Sequence, residues 1–96
     1  MNHALLVVKV VQNPIHFVYD EYQTIELKVE FPVPRQKNSK NELTVVLWGG
    51  YRDDFLKYYK VQDYLIVEGI ITIKSHKNEE NEIKIVGKKL YPFILN

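Results

Sequence analysis

Residues 43–50 read LTVVLWGG. Leu43, Val45 and Leu47 alternate with Thr44, Val46 and Trp48, the two-residue period of a strand with two unlike faces. Parity sets the only tryptophan opposite the leucines, at the strand's end and just before Gly49-Gly50. A core does not need its largest aromatic there, whereas a surface that stacks flat rings such as nucleic-acid bases does. Two groups of cations accompany it. Arg35, Lys37 and Lys40 fall in a stretch, 35–41, that holds no acid, and Lys74, His76 and Lys77 fall in a second polar stretch. Aromatics that stack bases, contributing roughly 1–3 kcal/mol per base, and cations that track phosphates are the two ingredients of single-strand binding.

Each residue has a plainer reading beside this one. Trp48 can equally be packed by its own loop or by a neighbouring subunit, and the loop lysines can be ordinary solvated charge. His76 divides between ligand contact and passive surface. Catalysis has little support. His3, His16 and His76 are far apart and none has a metal-ligand spacing. Ser39 and Ser75 lie in polar loops with no motif around them, and Asp53-Asp54 and Glu79-Glu80 read as solvated surface. Gly49-Gly50 has neither the length nor the lysine of a phosphate loop. No catalytic residue, metal, cofactor or small-molecule substrate is expected.

The elements that position these residues follow from the pattern. Residues 4–11, ALLVVKVV, form a first strand that is apolar on both faces except at Lys9, so both sides should be covered. Asn13-Pro14 ends it. Thr24 to Phe31 alternates as a half-buried second strand, stopped by Pro32 and Pro34, and residues 43–48 are the third. Tyr51 to Tyr59 reads as a short helix, with Tyr51, Phe55, Tyr58 and Tyr59 on one stripe, so Tyr58 and Tyr59 are expected in the core. Asp53 and Asp54 would suit its first turn, and Lys57 and Lys60 its end. Tyr64 to Ile73 is the fourth strand. Asn78 to Asn81 makes a hairpin turn, and Glu82 to Val86 starts the fifth. This β-β-β-α-β-β order is that of the OB-fold, an all-β, five-stranded Greek-key barrel with one helix between strands three and four that closes an open end.

Ninety-six residues, 46% of them hydrophobic, suffice for one domain with a modest core, spanning 1–96. No apolar run approaches the roughly 18 residues of a membrane span, and the lack of cysteine excludes disulfides and thiolate metal sites. The first residues run directly into a strand pattern, so no leader is expected. A bias towards Lys, Asn, Ile and Tyr suggests an A·T-rich genome such as a plastid's.

The chain resembles the single-stranded-DNA-binding (SSB) family of bacteria, most closely the short SSB-like proteins of cyanobacteria and algal plastids. The resemblance runs over nearly the whole chain. It rests on the opening strand followed by Asn13-Pro14, on VLWG at 46–49, and on LIVEG at 65–69. It implies that Trp48 is a base-stacking position and that His76 lies near a hairpin position where the family often has a stacking tryptophan. There are departures. Glu42 stands where the family has a second tryptophan, Val8 where it has a glycine, and Val61-Gln62-Asp63 where it has Lys-Gly-Asp. The sequence ends in YPFILN instead of an acidic tail, so weaker binding and no tail-mediated recruitment are expected.

The resemblance also implies a homodimer or homotetramer formed through strand one, with Leu5, Val7, Lys9 and Val11 at the interface. The expected function is sequence-tolerant protection of single-stranded DNA in replication or repair, in a plastid or the cytoplasm of a cyanobacterium-like cell. The alternative is an OB-fold module that binds protein or RNA in a replication or gene-expression complex. No membrane partner is expected.

Overall fold

Apolar residues at every second position give each strand one face that must leave water. A computed structural model, which describes residues 3–31, 42–74 and 82–93, shows how the chain buries them. The elements are β1 (His3–Val10), β2 (Ile15–Tyr19), β3 (Tyr22–Glu30), β4 (Glu42–Trp48), α1 (Gly49–Tyr58), β5 (Tyr64–Lys74) and β6 (Glu82–Pro92). The strand pairings run β1–β5–β6–β4–β3, and β3 returns to β1 at Lys9↔Glu30 and Val10↔Val29, so they close into a ring. All are antiparallel except β4–β6. This is the OB-fold expected from the element order.

Inside the ring lie Val8 and Val10 of β1, Ile25, Leu27 and Val29 of β3, Leu43, Val45 and Leu47 of β4, Leu65 and Val67 of β5, and Ile85 of β6. The helix contributes Phe55, which is fully buried. Burying a phenylalanine stabilises by roughly 1.5–3 kcal/mol, enough to hold one short helix against the barrel.

Several boundaries differ from those read in the sequence. An additional strand, β2, pairs with the first half of β3 through the two-residue turn Asp20-Glu21, where Asp20 adopts φ +53°. β1 and β2 run in the same direction along β3, as one long strand broken at Asn13-Pro14. The first strand does end ahead of Asn13-Pro14, as expected, and a second strand resumes just after it. The helix starts at Gly49, two residues before the expected Tyr51, because Gly49 takes φ +62°, a turn that a side chain would resist. Asp53 and Asp54 therefore lie beyond its first turn, which holds no acid.

Tyr58 is 65% exposed and is no part of the core. Tyr59, half-buried just past the helix, stacks on Phe55 with ring centroids 5.8 Å apart. Burial, with Asp54 and Asp63 adding repulsion, pushes the Tyr59 hydroxyl above its ordinary pKa, so the ring stays neutral. β6 runs on to Pro92, well past Val86. On the outward face of β1, Leu5 is 62% exposed among the described residues, while Val7 and Lys9 beside it are half-buried. The expected loop 35–41 and the turn at Asn78 to Asn81 lie outside the described residues.

The turn after α1 carries strain. Asp63 donates its N–H to the Lys60 carbonyl at 3.1 Å, its carboxylate accepts the Lys60 N–H at 3.0 Å, and Gln62 between them sits at φ +82°. That region costs a side-chain-bearing residue about 1 kcal/mol or more. Gln62→Gly should therefore raise stability by about 0.5–1 kcal/mol, after the extra chain entropy of glycine is counted. A denaturant midpoint that falls in Gln62→Gly would contradict the strain.

Candidate nucleic-acid interface

The outward face of β3, β4 and β6 is laid out in rows by the strand register. Lys28 lies opposite Thr44, and Thr44 opposite Lys84. In the next row Glu26 lies opposite Val46, and Val46 opposite Val86. Beyond it Thr24 lies opposite Trp48. The Lys28 ammonium donates to the buried Thr44 hydroxyl at 2.9 Å, while Lys84 reaches diagonally to Glu26 at 3.3 Å. The two lysines thus differ in charge balance, since Lys28 meets a hydroxyl where Lys84 meets a carboxylate. A phosphate laid on this face would find its less compensated cation at Lys28.

Trp48 ends β4 on this face, 43% exposed. The Tyr22 ring meets it edge-on, with centroids 6.2 Å apart and planes at 73°. The Lys88 ammonium sits 5.8 Å from the Trp48 ring centroid. Edge-to-face contact and a cation over the ring each contribute on the order of 0.5–1 kcal/mol, so both fix the indole without covering it. Lys88 owes its place to an irregularity. Glu68 pairs with Lys89 and Gly69 with Gly87, leaving Lys88 as the extra residue of a β-bulge.

An open groove of about 490 Å³ adjoins the indole. Tyr22, Gln23, Arg52 and Asp53 are among the residues that line it, and Arg52 Nη1 donates to Asp53 Oδ1 at 2.9 Å.

Of the cations singled out in the sequence, Lys74 ends β5, paired in the ladder with Glu82. Arg35, Lys37, Lys40, His76 and Lys77 lie outside the described residues. Leu5, Val7 and Lys9 share the outward face of β1, opposite Glu68, Ile66 and Tyr64 respectively. Val11 lies just beyond the strand, its N–H donated to the Lys28 carbonyl at 3.0 Å.

Sequence reasoning passed over Tyr22, Lys28, Arg52 and Lys88. Extending the Thr24–Glu26–Lys28 alternation back by two would have found Tyr22. No local signal announces Lys88, because its position depends on the bulge. Among the described residues no group of three or more His, Asp or Glu is placed to hold a metal ion, and no helix is long and apolar enough to cross a membrane.

The barrel superposes on the SSB domain of a Synechococcus protein with a TM-score of 0.74. The likeness covers 95% of this chain and 94% of that one at 22% identity. The fold is that of an SSB domain. Two relatives by sequence carry single-stranded-DNA-binding names. The SSB-like chain is 26% identical over 104 residues to the putative single-stranded DNA-binding protein ycf41 of Trieres chinensis, across 100% of its own length and 92% of that protein. It is 33% identical over 82 residues to the thylakoid-associated single-stranded DNA-binding protein slr1034 of Synechocystis, covering 83% of itself and 64% of that relative. No family model matches the chain.

Proposed function

We propose that the chain is a non-enzymatic, sequence-tolerant single-stranded DNA-binding protein that coats exposed strands in replication or repair. The observation that carries this reading is Trp48. It is a half-exposed indole, steadied by Tyr22 and backed by Lys88, on the outward face of an SSB barrel. The named relatives are described as single-stranded DNA-binding proteins, which agrees with that chemistry. Bases stack on Trp48 and phosphates pass near Lys28, and Arg35, Lys37, Lys40, Lys74, His76 and Lys77 are further candidates for contact with the strand on the sequence reading.

Titration with oligo-dT should quench the emission of Trp48, the only tryptophan. Log affinity should fall linearly with log salt, by about 0.7 for each phosphate neutralised. Unchanged emission at saturating oligo-dT, together with no detectable complex, would overturn the reading.

We further take β1 as the self-association surface of a homodimer or homotetramer. Leu5 stands exposed there, beside Val7, Lys9 and Val11. Among the described residues β1 pairs on its β3 side only at Lys9 and Val10, which leaves the run from His3 to Val8 an open edge on that side. Such an edge invites strand pairing. The compositional bias and a relative described as thylakoid-associated support a plastid or cyanobacterium-like setting.

A further inference from the structure

Among the described residues, the lining of the groove beside Trp48 holds more acid than cation, with the Lys88 ammonium at the indole outside that lining, a poor match for a phosphate. Two acids, Glu21 and Asp53, and one cation, Arg52, are in its lining. An acidic recess on a strand-binding face suits the hydrogen-bond donors of a base edge better than a backbone anion. The ion pair at its rim is asymmetric. Arg52 is largely withdrawn, 20% exposed in its side chain, with Nη1 donating to Asp53 and Nε buried without a hydrogen-bond partner among the described residues. The Asp53 side chain is 70% exposed. The rim therefore offers mostly carboxylate oxygen, with a guanidinium edge beside it, and Gln23 lies in the same groove.

The four bases differ in how they meet such a rim. Guanine presents an acceptor, O6, followed by two donors, N1–H and N2–H₂, which match one guanidinium donor and two carboxylate oxygens. Thymine presents one donor between two carbonyls, which the carboxylate repels. Adenine offers one donor group, N6–H₂, beside one acceptor, N1, so it can meet the pair but leaves one carboxylate oxygen unused. Cytosine needs two donors from the protein and one acceptor, the reverse of what Arg52 and Asp53 leave available. Guanine also stacks a two-ring surface on the indole. On the reading of this face as a single-strand interface, we propose that the groove is a guanine-selective position, with the base stacked on Trp48 and its Watson–Crick edge held by Asp53 and Arg52. The barrel would then bind any sequence and register preferentially on those with a guanine at this point.

The test uses labelled 15-mers of dT with the central residue replaced by dG, dC or dA, followed by anisotropy, in the full chain and in Asp53→Asn. Replacement by dG should tighten binding to the unaltered chain by about fivefold, the lower end of what a two-bond base contact supplies in a partly open site. Replacement by dC or dA should change it by less than about twofold. In Asp53→Asn the dG and dT strands should come within about twofold of each other. Equal affinities in the unaltered chain, a preference for dC, or a dG preference that survives in Asp53→Asn would each overturn the proposal while leaving strand binding in place. Failure of every strand to bind would overturn the reading of the face itself.

Discussion

Trp48→Ala is expected to weaken binding to oligo-dT by about tenfold or more, within the roughly 1–3 kcal/mol that one stacked base contributes. The loss should exceed that in a relative with several stacking aromatics, because Glu42 stands where the family resemblance implies a second stacking residue. The described part of this face thus has Trp48 as its exposed indole, with Tyr22 turned edge-on against it. Removing the indole also removes the partner of Lys88, so that cation loses its fixed position as well. Because the variant lacks tryptophan, the measurement is the anisotropy of a labelled oligonucleotide. Trp48→Phe, which keeps a ring, should recover a large part of the loss. Binding by Trp48→Ala that matches the parent would assign the stacking to other residues. Folding should be little affected, since the side chain is outside the core.

The second large effect concerns stability. A Cβ added at Gly69 would lie 2.2 Å from the Val86 carbonyl oxygen and 3.0 Å from Ile85 Cγ2. The first of these is backbone, held in the β5–β6 ladder, and cannot rotate aside. Gly69→Ala should therefore cost about 2–3 kcal/mol, the upper part of the range for overpacking. That is a substantial fraction of the 5–15 kcal/mol typical of a whole domain. Chemical denaturation would read it as a lowered midpoint with an unchanged slope. Gly50→Ala is the control. A Cβ there meets nothing within 4 Å, and alanine favours the helix, so stability should hold or rise slightly. Equal behaviour of the two variants would show that the ladder at Gly69 yields.

What the sequence disclosed and what it withheld divide along a physical line. Short-range alternation was legible, so β3, β4 and β5 and the inward set Ile25, Leu27, Val29, Leu43, Val45 and Leu47 follow from it. The outward position of Trp48 follows from the same parity. Features set by pairing partners were not legible. Ile15–Tyr19 has too little contrast between faces to announce a strand, and it exists because β3 offers a template. Lys88 stands beside Trp48 only because one strand carries a surplus residue against another. Tyr58 misled because helical spacing says which residues share a stripe and not how wide a contact the barrel mouth supplies. One phenylalanine fills most of that contact.

The ring of strands is not uniformly fastened. Among the described residues, seven pairs join β1 to β5, yet two join β1 to β3. Around that short seam the fold has added stitches from outside the ladder. Val10 donates to the Asp63 carbonyl at 2.9 Å, Gln62 donates to the Val10 carbonyl at 2.8 Å, and Val11 donates to the Lys28 carbonyl at 3.0 Å. The strained turn at Gln62 is thus a clasp, and its unfavourable backbone is what brings a donor within reach of Val10. The closure of this barrel thus depends on that turn as well as on the β1–β3 ladder.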